Sequence, residues 1–560
     1  MDGTNVGVLP ADLFHLLSAE LSARSDFDTL YNCVVSSKQI ANSGAITALY
    51  RISHDCPVKG GGLEELSLSE QDLAVQKWSI LWRTIIMSAL GQTIYPYCKH
   101  LRMLDLRDLG YLLDEDKFKQ GKIMKNFFSG AMERFHLTVD APVRQGSRNR
   151  PKRLDTKRII TAIGDLITEQ SPLLEALTEP IPGGIFSSAL LNWAPRMTHL
   201  RRLDLWDDST LANEDVRNLL LSNCPHLDAL CIYSASHDAD KHLAAFISGM
   251  KSNTLTYFEN ISSCHLGLET AIALNNHGKS LSCLKLFLND GETKALGCLQ
   301  QCTSLTTLAI NYSGPPDDLK ASQNDVYLEI VDWLRNCTAL RDISISNMIS
   351  APDMIMPILL NEENQLHKLQ INSNEGLMYL VKDHEDFHQA IGQKSSLREL
   401  LLRADPEGLG RDHIDTLMTS ICSLKDLRLL NLTRISDFFS DQHIKVFAHH
   451  LENLEDLYIG GYGITDGVWD SVARLKNLKS LTFSGLTSFT ASGMLVFINQ
   501  LGEGNRGMLM AVDNAEAESS LTPEEQELVK DAFSAKLDGR FQYQLWRDLN
   551  YEEFDSDESD

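Results

Sequence analysis

Aliphatic residues recur along this chain in the spacing L-x-x-L-x-L. The triplets run Leu101/Leu104/Leu106, Leu200/Leu203/Leu205, Leu227/Leu230/Ile232, Leu281/Leu284/Leu286, Leu305/Leu308/Ile310, Leu340/Ile343/Ile345, Leu366/Leu369/Ile371, Leu397/Leu400/Leu402, Leu427/Leu430/Leu432, Leu454/Leu457/Ile459 and Leu478/Leu481/Phe483. From Leu200 onward the starts lie 24 to 35 residues apart, with a degenerate lap at Leu255/Phe258. That spacing is the signature of a leucine-rich repeat. Alternate residues of a strand face opposite sides, so the last two apolar residues of each triplet enter a core and the residue between them faces out. Segments of helical period, such as Glu214 to Leu221 with Val216, Leu219 and Leu220 on one face, return the chain to the next strand. One lap cannot bury its own apolar side, so stability comes from stacking. The predicted fold class is α/β, a leucine-rich-repeat solenoid (horseshoe) behind an N-terminal all-α helical module.

The module lies in residues 1–56. Pro10 can open a helix because its missing N–H has no partner there. Leu13, Phe14, Leu16, Leu17 and Leu21 then cover roughly 160° of helix circumference. Phe27, Leu30, Tyr31, Cys33 and Val34 add a second stripe, more apolar surface than so small a unit encloses. Either this face caps the solenoid or it meets another protein. Residues 57–99 carry a glycine joint, Pro57 to Gly62, and a helix whose Trp78, Leu81, Trp82, Ile85, Ile86 and Ala89 read as a cap on the first lap. The solenoid spans 100–540, with Met132/Phe135/Leu137 as a possible second lap. A basic insertion at about 141–156, in a cluster of Arg144, Arg148, Arg150, Lys152, Arg153, Lys157 and Arg158, reads as disordered. Glu524 to Leu537 reads as a closing helix, and 541–560 as a disordered acidic tail.

Charge narrows the partners. The chain of 560 residues has 51 Lys plus Arg against 76 Asp plus Glu, a formal net charge of −25, which disfavours nucleic acid and anionic membrane. No apolar run approaches the roughly 20 residues of a membrane span. The 11 cysteines lack paired C-x-x-C spacing, so they read as reduced thiols of a cytoplasmic or nuclear protein. No residues assemble a catalytic, cofactor or metal signature. Cys298 and Cys302 lack a second pair with zinc spacing. His413, His443 and Asp441 do not form a recognisable triad, His449-His450 reads as a surface pair, and Gly460, Gly461 and Gly463 lack the lysine of a phosphate loop. The expectation is a non-enzyme without a cofactor.

The repeats instead offer a face. Outward positions include Arg202, Asp204, Trp206, Tyr233, Tyr257, Glu259, Lys285, Phe287, Asn311, Lys368, Gln370, Glu399, Arg403 and Tyr458. Aromatic and arginine residues are the usual anchors of a protein interface. Arg202, Trp206, Tyr233, Glu259, Lys285, Phe287, Arg403 and Tyr458 are therefore the candidate partner-binding residues.

Leu9-Pro10, Asp12-Leu13, Leu16-Leu17, Leu21, Leu30, Cys33-Val34 and Lys38 resemble the F-box, the helical module through which substrate receptors dock on the adaptor of SCF-type ubiquitin ligases. With the repeats behind it, the chain resembles the F-box and leucine-rich-repeat proteins of filamentous fungi. Where many F-boxes place a tryptophan after this segment, the chain has Gln39, Ile40 and Ala41. The resemblance implies that Leu9, Pro10, Leu13, Leu16, Leu17 and Leu21 lie at the adaptor contact, that a cullin joins through the adaptor, and that the repeat face selects a protein for ubiquitination. The alternative from the residues alone is a repeat scaffold with no ligase association.

Overall fold

The structure is a computed structural model. It describes residues 10–24, 26–51, 66–140, 152–181, 183–234, 239–262, 266–315, 318–373, 378–405, 411–436, 438–515 and 520–545. The chain divides into two compact units, residues 1–265 and 266–560. The division falls inside the repeat tract and not at the borders of the modules read from sequence.

In the first unit, helices Ala11–Ala23 and Phe27–Ser36 are followed by short turns ending in Ile46–Leu49. Asp26 caps the second helix by accepting from the Thr29 N–H. Gly44 has φ 134, and a Cβ there would stand 3.0 Å from the His15 backbone, so only glycine lets the first helix approach this closely. The module is tied to the repeats behind it. Tyr50 stacks on Tyr97 at 4.4 Å, and the Arg102 N–H donates to the Arg51 carbonyl at 2.6 Å.

The helix Leu68–Ala89 starts at a capping box, Ser67 with Glu70. Its Trp78, Trp82, Ile85 and Ile86 are buried, so this apolar face packs the core and presents no binding surface. Both indole N–H groups converge on one buried acceptor, Asp108 Oδ2, at 2.8 and 2.6 Å. Strands Met103–Asp105, Ala176–Thr178, Arg202–Leu205, Ala229–Ile232 and Tyr257–Asn260 then pair in that order, all parallel. Their register aligns Leu104, Leu177, Leu203, Leu230 and Phe258, each with no exposed surface.

Two expectations change here. Met132/Phe135/Leu137 is not a lap: Gly130–Phe135 is a 3-10 helix whose Met132 and Phe135 fill the core. The second lap is Leu174/Leu177, where Glu179 holds the third apolar position. The basic insertion also ends earlier than about 156. Lys152–Leu154 forms an antiparallel strand with Thr138–Asp140, and Thr156–Gln170 is a helix capped by Asp155. Arg144, Arg148 and Arg150 lie outside the described residues, as does the joint at Pro57 to Gly62.

The second unit repeats the pattern with fewer interruptions. Strands Cys283–Leu288, Thr307–Tyr312, Asp342–Ser346, Lys368–Asn372, Glu399–Arg403, Leu429–Arg434, Asp456–Gly460, Ser480–Ser484, Leu509–Ala515 and Arg540–Leu545 pair in sequence, every neighbour parallel. Leu284, Leu308, Ile343, Leu369, Leu400, Leu430, Leu457, Leu481 and Met510 form one buried row. Each such side chain contributes on the order of 1.5–3 kcal/mol before ordering entropy is subtracted. Gly460 ends its strand where a Cβ would meet the Thr433 carbonyl at 2.3 Å, and Gly463 has φ 72, so this glycine cluster turns the chain out of the strand. The helix Pro523–Leu537 forms as expected, but another strand follows it. The acidic tail therefore cannot begin at 541, because Phe541–Leu545 belong to that strand; residues 546–560 lie outside the described residues.

Two measurements check this packing. Asp108→Ala leaves two buried indole N–H groups without an acceptor and is expected to lower the stability of the first unit by about 2–6 kcal/mol, at roughly 1–3 per orphaned donor, read from the urea midpoint of tryptophan fluorescence. An unchanged midpoint contradicts the shared acceptor. In the second unit His388 is fully buried, with Nε2 3.3 Å from the Tyr379 hydroxyl and, among the described residues, no partner for Nδ1. Burial, with His384 adding, pushes its pKa down to about 3. Between roughly pH 6.5 and 3 the unfolded chain takes up a proton that the folded chain refuses, so stability falls as pH falls, by at most about 1.4 kcal/mol per pH unit. His388→Leu is expected to flatten that acid limb in pH-dependent denaturation; parallel limbs in the two proteins contradict it.

Candidate interaction surface

The alternation that buries the leucines lifts a matching set of side chains onto the open face of each sheet. In the first unit, strand register places Asp105, Thr178, Asp204, Cys231 and Glu259 in one row. Met103, Ala176, Arg202, Ala229 and Tyr257 form the row beside it. Arg202 Nε donates to Asp204 Oδ1 at 2.8 Å, and its guanidinium lies 4.9 Å from the Tyr257 ring centroid. Thr178 donates to the other oxygen of Asp204 at 3.2 Å. The Tyr257 hydroxyl donates to Glu259, and the Cys231 thiol approaches the same carboxylate at 4.0 Å. Four of the expected residues, Arg202, Trp206, Tyr233 and Glu259, belong to one patch.

Trp206 stacks on Tyr233 at 5.4 Å with 24° between the ring planes. Arg107 closes the group from the first lap: Nη1 donates to the Tyr233 hydroxyl, Nη2 pairs with Asp105 at 3.1 Å, and the guanidinium stands 5.1 Å from the Tyr233 centroid. Burial raises the pKa of Asp105 against the pull of Arg107, and that of Asp204 against Arg202. Burial opposes the charge on Arg107, but Asp105 and Tyr233 hold its pKa above the usual arginine value. Such a pre-ordered arginine and aromatic patch loses little side-chain freedom when a partner binds.

Asp105, Arg107 and Glu179 were missed in the sequence. The first two follow from applying the outward-position rule to the Leu101 lap. Glu179 was hidden because it occupies a position reserved for an apolar residue. Its buried carboxylate accepts from the N–H of Gly184 at 3.0 Å, Phe186 at 3.1 Å and Trp206 at 3.0 Å. Burial raises its pKa, while these three donors draw it back. It thus fixes the backbone that carries Trp206.

In the second unit the remaining candidates are separated along the sheet. Lys285 and Phe287 are half-buried outward residues of the strand Cys283–Leu288. Lys368 pairs with Glu399 at 3.0 Å, and Tyr458 accepts from Ser480 Oγ at 3.0 Å. Arg403 donates from Nη1 to the Ser373 carbonyl at 3.1 Å. Asn347, at φ 64, donates to the Asn311 side chain at 3.2 Å.

The N-terminal helices expose a group of large apolar side chains. Leu13 is 47% exposed, Leu16 63% and Leu17 49%, three positions on one helix face. Tyr31 at 58% and Val35 at 61% stand one turn apart on the next helix. Pro10 is exposed, Leu21 is half-buried, and Leu9 lies outside the described residues. Leu30 is fully buried and holds the helices together.

The residues weighed for chemistry do not converge. His413 stands 3.6 Å from Glu385, His443 caps its own helix through Ser440, and Asp441 accepts from Thr465 of the next lap at 2.8 and 2.6 Å. Cys302 is buried against Asn275, and Lys425 donates to the His450 carbonyl at 3.2 Å. Among the described residues, no group of three or more His, Cys, Asp or Glu is placed to hold a metal, and no helix is long and apolar enough to cross a membrane.

No family model matches the chain, and no curated protein sequence matches it. Among solved structures, a chain of the Rad7 and Elc1 complex in yeast is similar at 13% identity and a TM-score of 0.40, covering 83% of this chain and 97% of that one. An internalin, inlF of Listeria monocytogenes, is similar at 14% identity and a TM-score of 0.30, covering 69% of this chain and 82% of that one. At those scores neither carries a structural argument. The class rests on the chain's own register: an α/β repeat protein of parallel strands and returning helices, of leucine-rich-repeat type.

Glu179→Gln sets an amide against three backbone donors. It is expected to cost about 1–3 kcal/mol in the thermal or urea transition of the first unit and to loosen the Trp206–Tyr233 stack, read by near-ultraviolet circular dichroism. An unchanged spectrum and transition contradict the role given to this carboxylate.

Proposed function

We propose that this protein is the non-catalytic substrate receptor of an SCF-type ubiquitin ligase. Its N-terminal helices hold the adaptor, and through it a cullin, while the open strand face holds a protein target. Ubiquitin transfer takes place on other subunits, and this chain supplies proximity by turning a bimolecular encounter into a tethered one. The observation that carries the reading is the exposed apolar face of Leu13, Leu16, Leu17, Tyr31 and Val35 on helices that the repeats do not cover. Contiguous exposed apolar surface of this kind marks a protein contact. Its Leu13, Leu16 and Leu17 are among the positions that resemble the F-box.

The test is copurification with the adaptor. Leu16 is the most exposed of the three leucines, so Leu16→Asp leaves folding intact while placing a charge in the contact. The wild-type chain is expected to retain the adaptor and Leu16→Asp to lose most of it, with unfolding unchanged. A wild-type chain that retains none overturns the ligase reading, as does equal retention by both.

A further inference from the structure

Two returning helices of adjacent laps in the second unit, Asn324–Asn336 and Ala351–Leu360, leave a groove of about 530 Å³ between them. Val331, Met356, Pro357 and Leu360 give it an apolar lining. Leu360 is 59% exposed, and Leu328, three positions before Val331, is 53% exposed. Neither leucine holds the laps together, because Ile330, Trp333 and Leu334 on one helix and Met354, Ile355 and Ile358 on the other are the buried residues that do so. Methionine adapts its shape to what it meets, which suits a lining that receives a partner.

Charge and backbone chemistry define the occupant. The charges within the groove are matched: Arg335 pairs with Asp332 at 3.0 Å, and Asp353 with Lys320 at 3.0 Å. Glu362 and Glu363 follow the second helix, exposed, and among the described residues neither is in an ion pair. Lys394, on a later lap, turns its ammonium to the carbonyls of Asn361 and Asn364. One end of the groove is therefore acidic. Pro357 stands inside its helix without an N–H, so the Asp353 carbonyl lacks its usual helical donor at a point where both residues line the groove. Apolar lining, acidic end and an acceptor short of a donor together call for apolar side chains flanked by lysine or arginine. Asp353 and Leu360 are seven positions apart, roughly 10 Å along the axis, the separation of apolar residues i and i+7 on a second helix.

We propose that this groove docks a cationic amphipathic helix of a partner protein, its apolar stripe laid between the two returning helices and its basic residues toward Glu362 and Glu363. The contact is separate from the adaptor face, which lies in the other unit, and from the open strand face.

The test uses the full chain at physiological salt and three labelled peptides of about 18 residues, long enough to form a helix. One carries leucine at i, i+3, i+4 and i+7 with lysine and arginine elsewhere. The second keeps the leucines and replaces the basic residues by glutamate, and the third scrambles the first. Fluorescence anisotropy is expected to show the first binding at least about tenfold more tightly than either other. Leu360→Lys, an exposed change in the last turn of its helix, is expected to remove that preference with thermal unfolding as in the wild type. Leu328→Lys is the second variant, expected to weaken binding in the same way. Glu362→Gln with Glu363→Gln is expected to narrow the gap between the basic and acidic peptides. Equal binding of the first peptide and its scramble, equal binding of the basic and acidic peptides, or a preference that survives both leucine variants each overturns the groove as a docking site.

Discussion

Everything in this protein depends on lateral register between parallel strands. A lap that places Leu457 and Ile459 on one side cannot bury them by itself; Leu430, Leu432, Leu481 and Phe483 from the flanking laps do so, because the strands align residue for residue. A slip of one position would send the leucines into water and the polar row into the core. Hydrogen bonds between neighbouring strands and apolar contacts thus specify the same alignment, and the pattern holds through both units.

The same constraint generates the surface. Once the buried rows are fixed, the residues between them must line up on the other side, and partners distant in sequence become neighbours. Arg107, paired with Asp105, reaches Tyr233, more than a hundred residues away, because intervening laps bring them together. In the second unit one shift in register sets Arg403 beside Arg434. The two patches differ in character. The first has matched charges and stacked rings. The second sets two arginines level on neighbouring strands, and among the described residues neither forms an ion pair.

Most of the repeat architecture was legible because leucine periodicity is redundant: Leu305/Leu308/Ile310 and its successors each report the same geometry. What stayed hidden were exceptions in which a polar residue took an apolar place. Glu179 reads as a break in the pattern, and only its three backbone donors show why it is tolerated. Met132 and Phe135 satisfy the spacing of a lap but enter the core from a 3-10 helix, since apolar spacing alone does not separate short strands from short helices. The strand Arg540–Leu545 was masked by the acids that follow it in sequence. On the N-terminal helices the leucine stripe was readable, but not which part of it remains uncovered; Leu21 and Leu30 turn inward while Tyr31 and Val35 turn out. Arg434 was invisible as a neighbour of Arg403 because regular alternation does not foresee the register shift.

The central claim is that the helices in front carry a free docking face while the strands behind keep theirs for another partner. Hydrogen exchange of the full chain with and without the purified adaptor measures this directly. Slowed exchange confined to 11–23 and 27–36, with the strands of both units unchanged, is the expected result. Slowed exchange on the strands with none in those helices would contradict it.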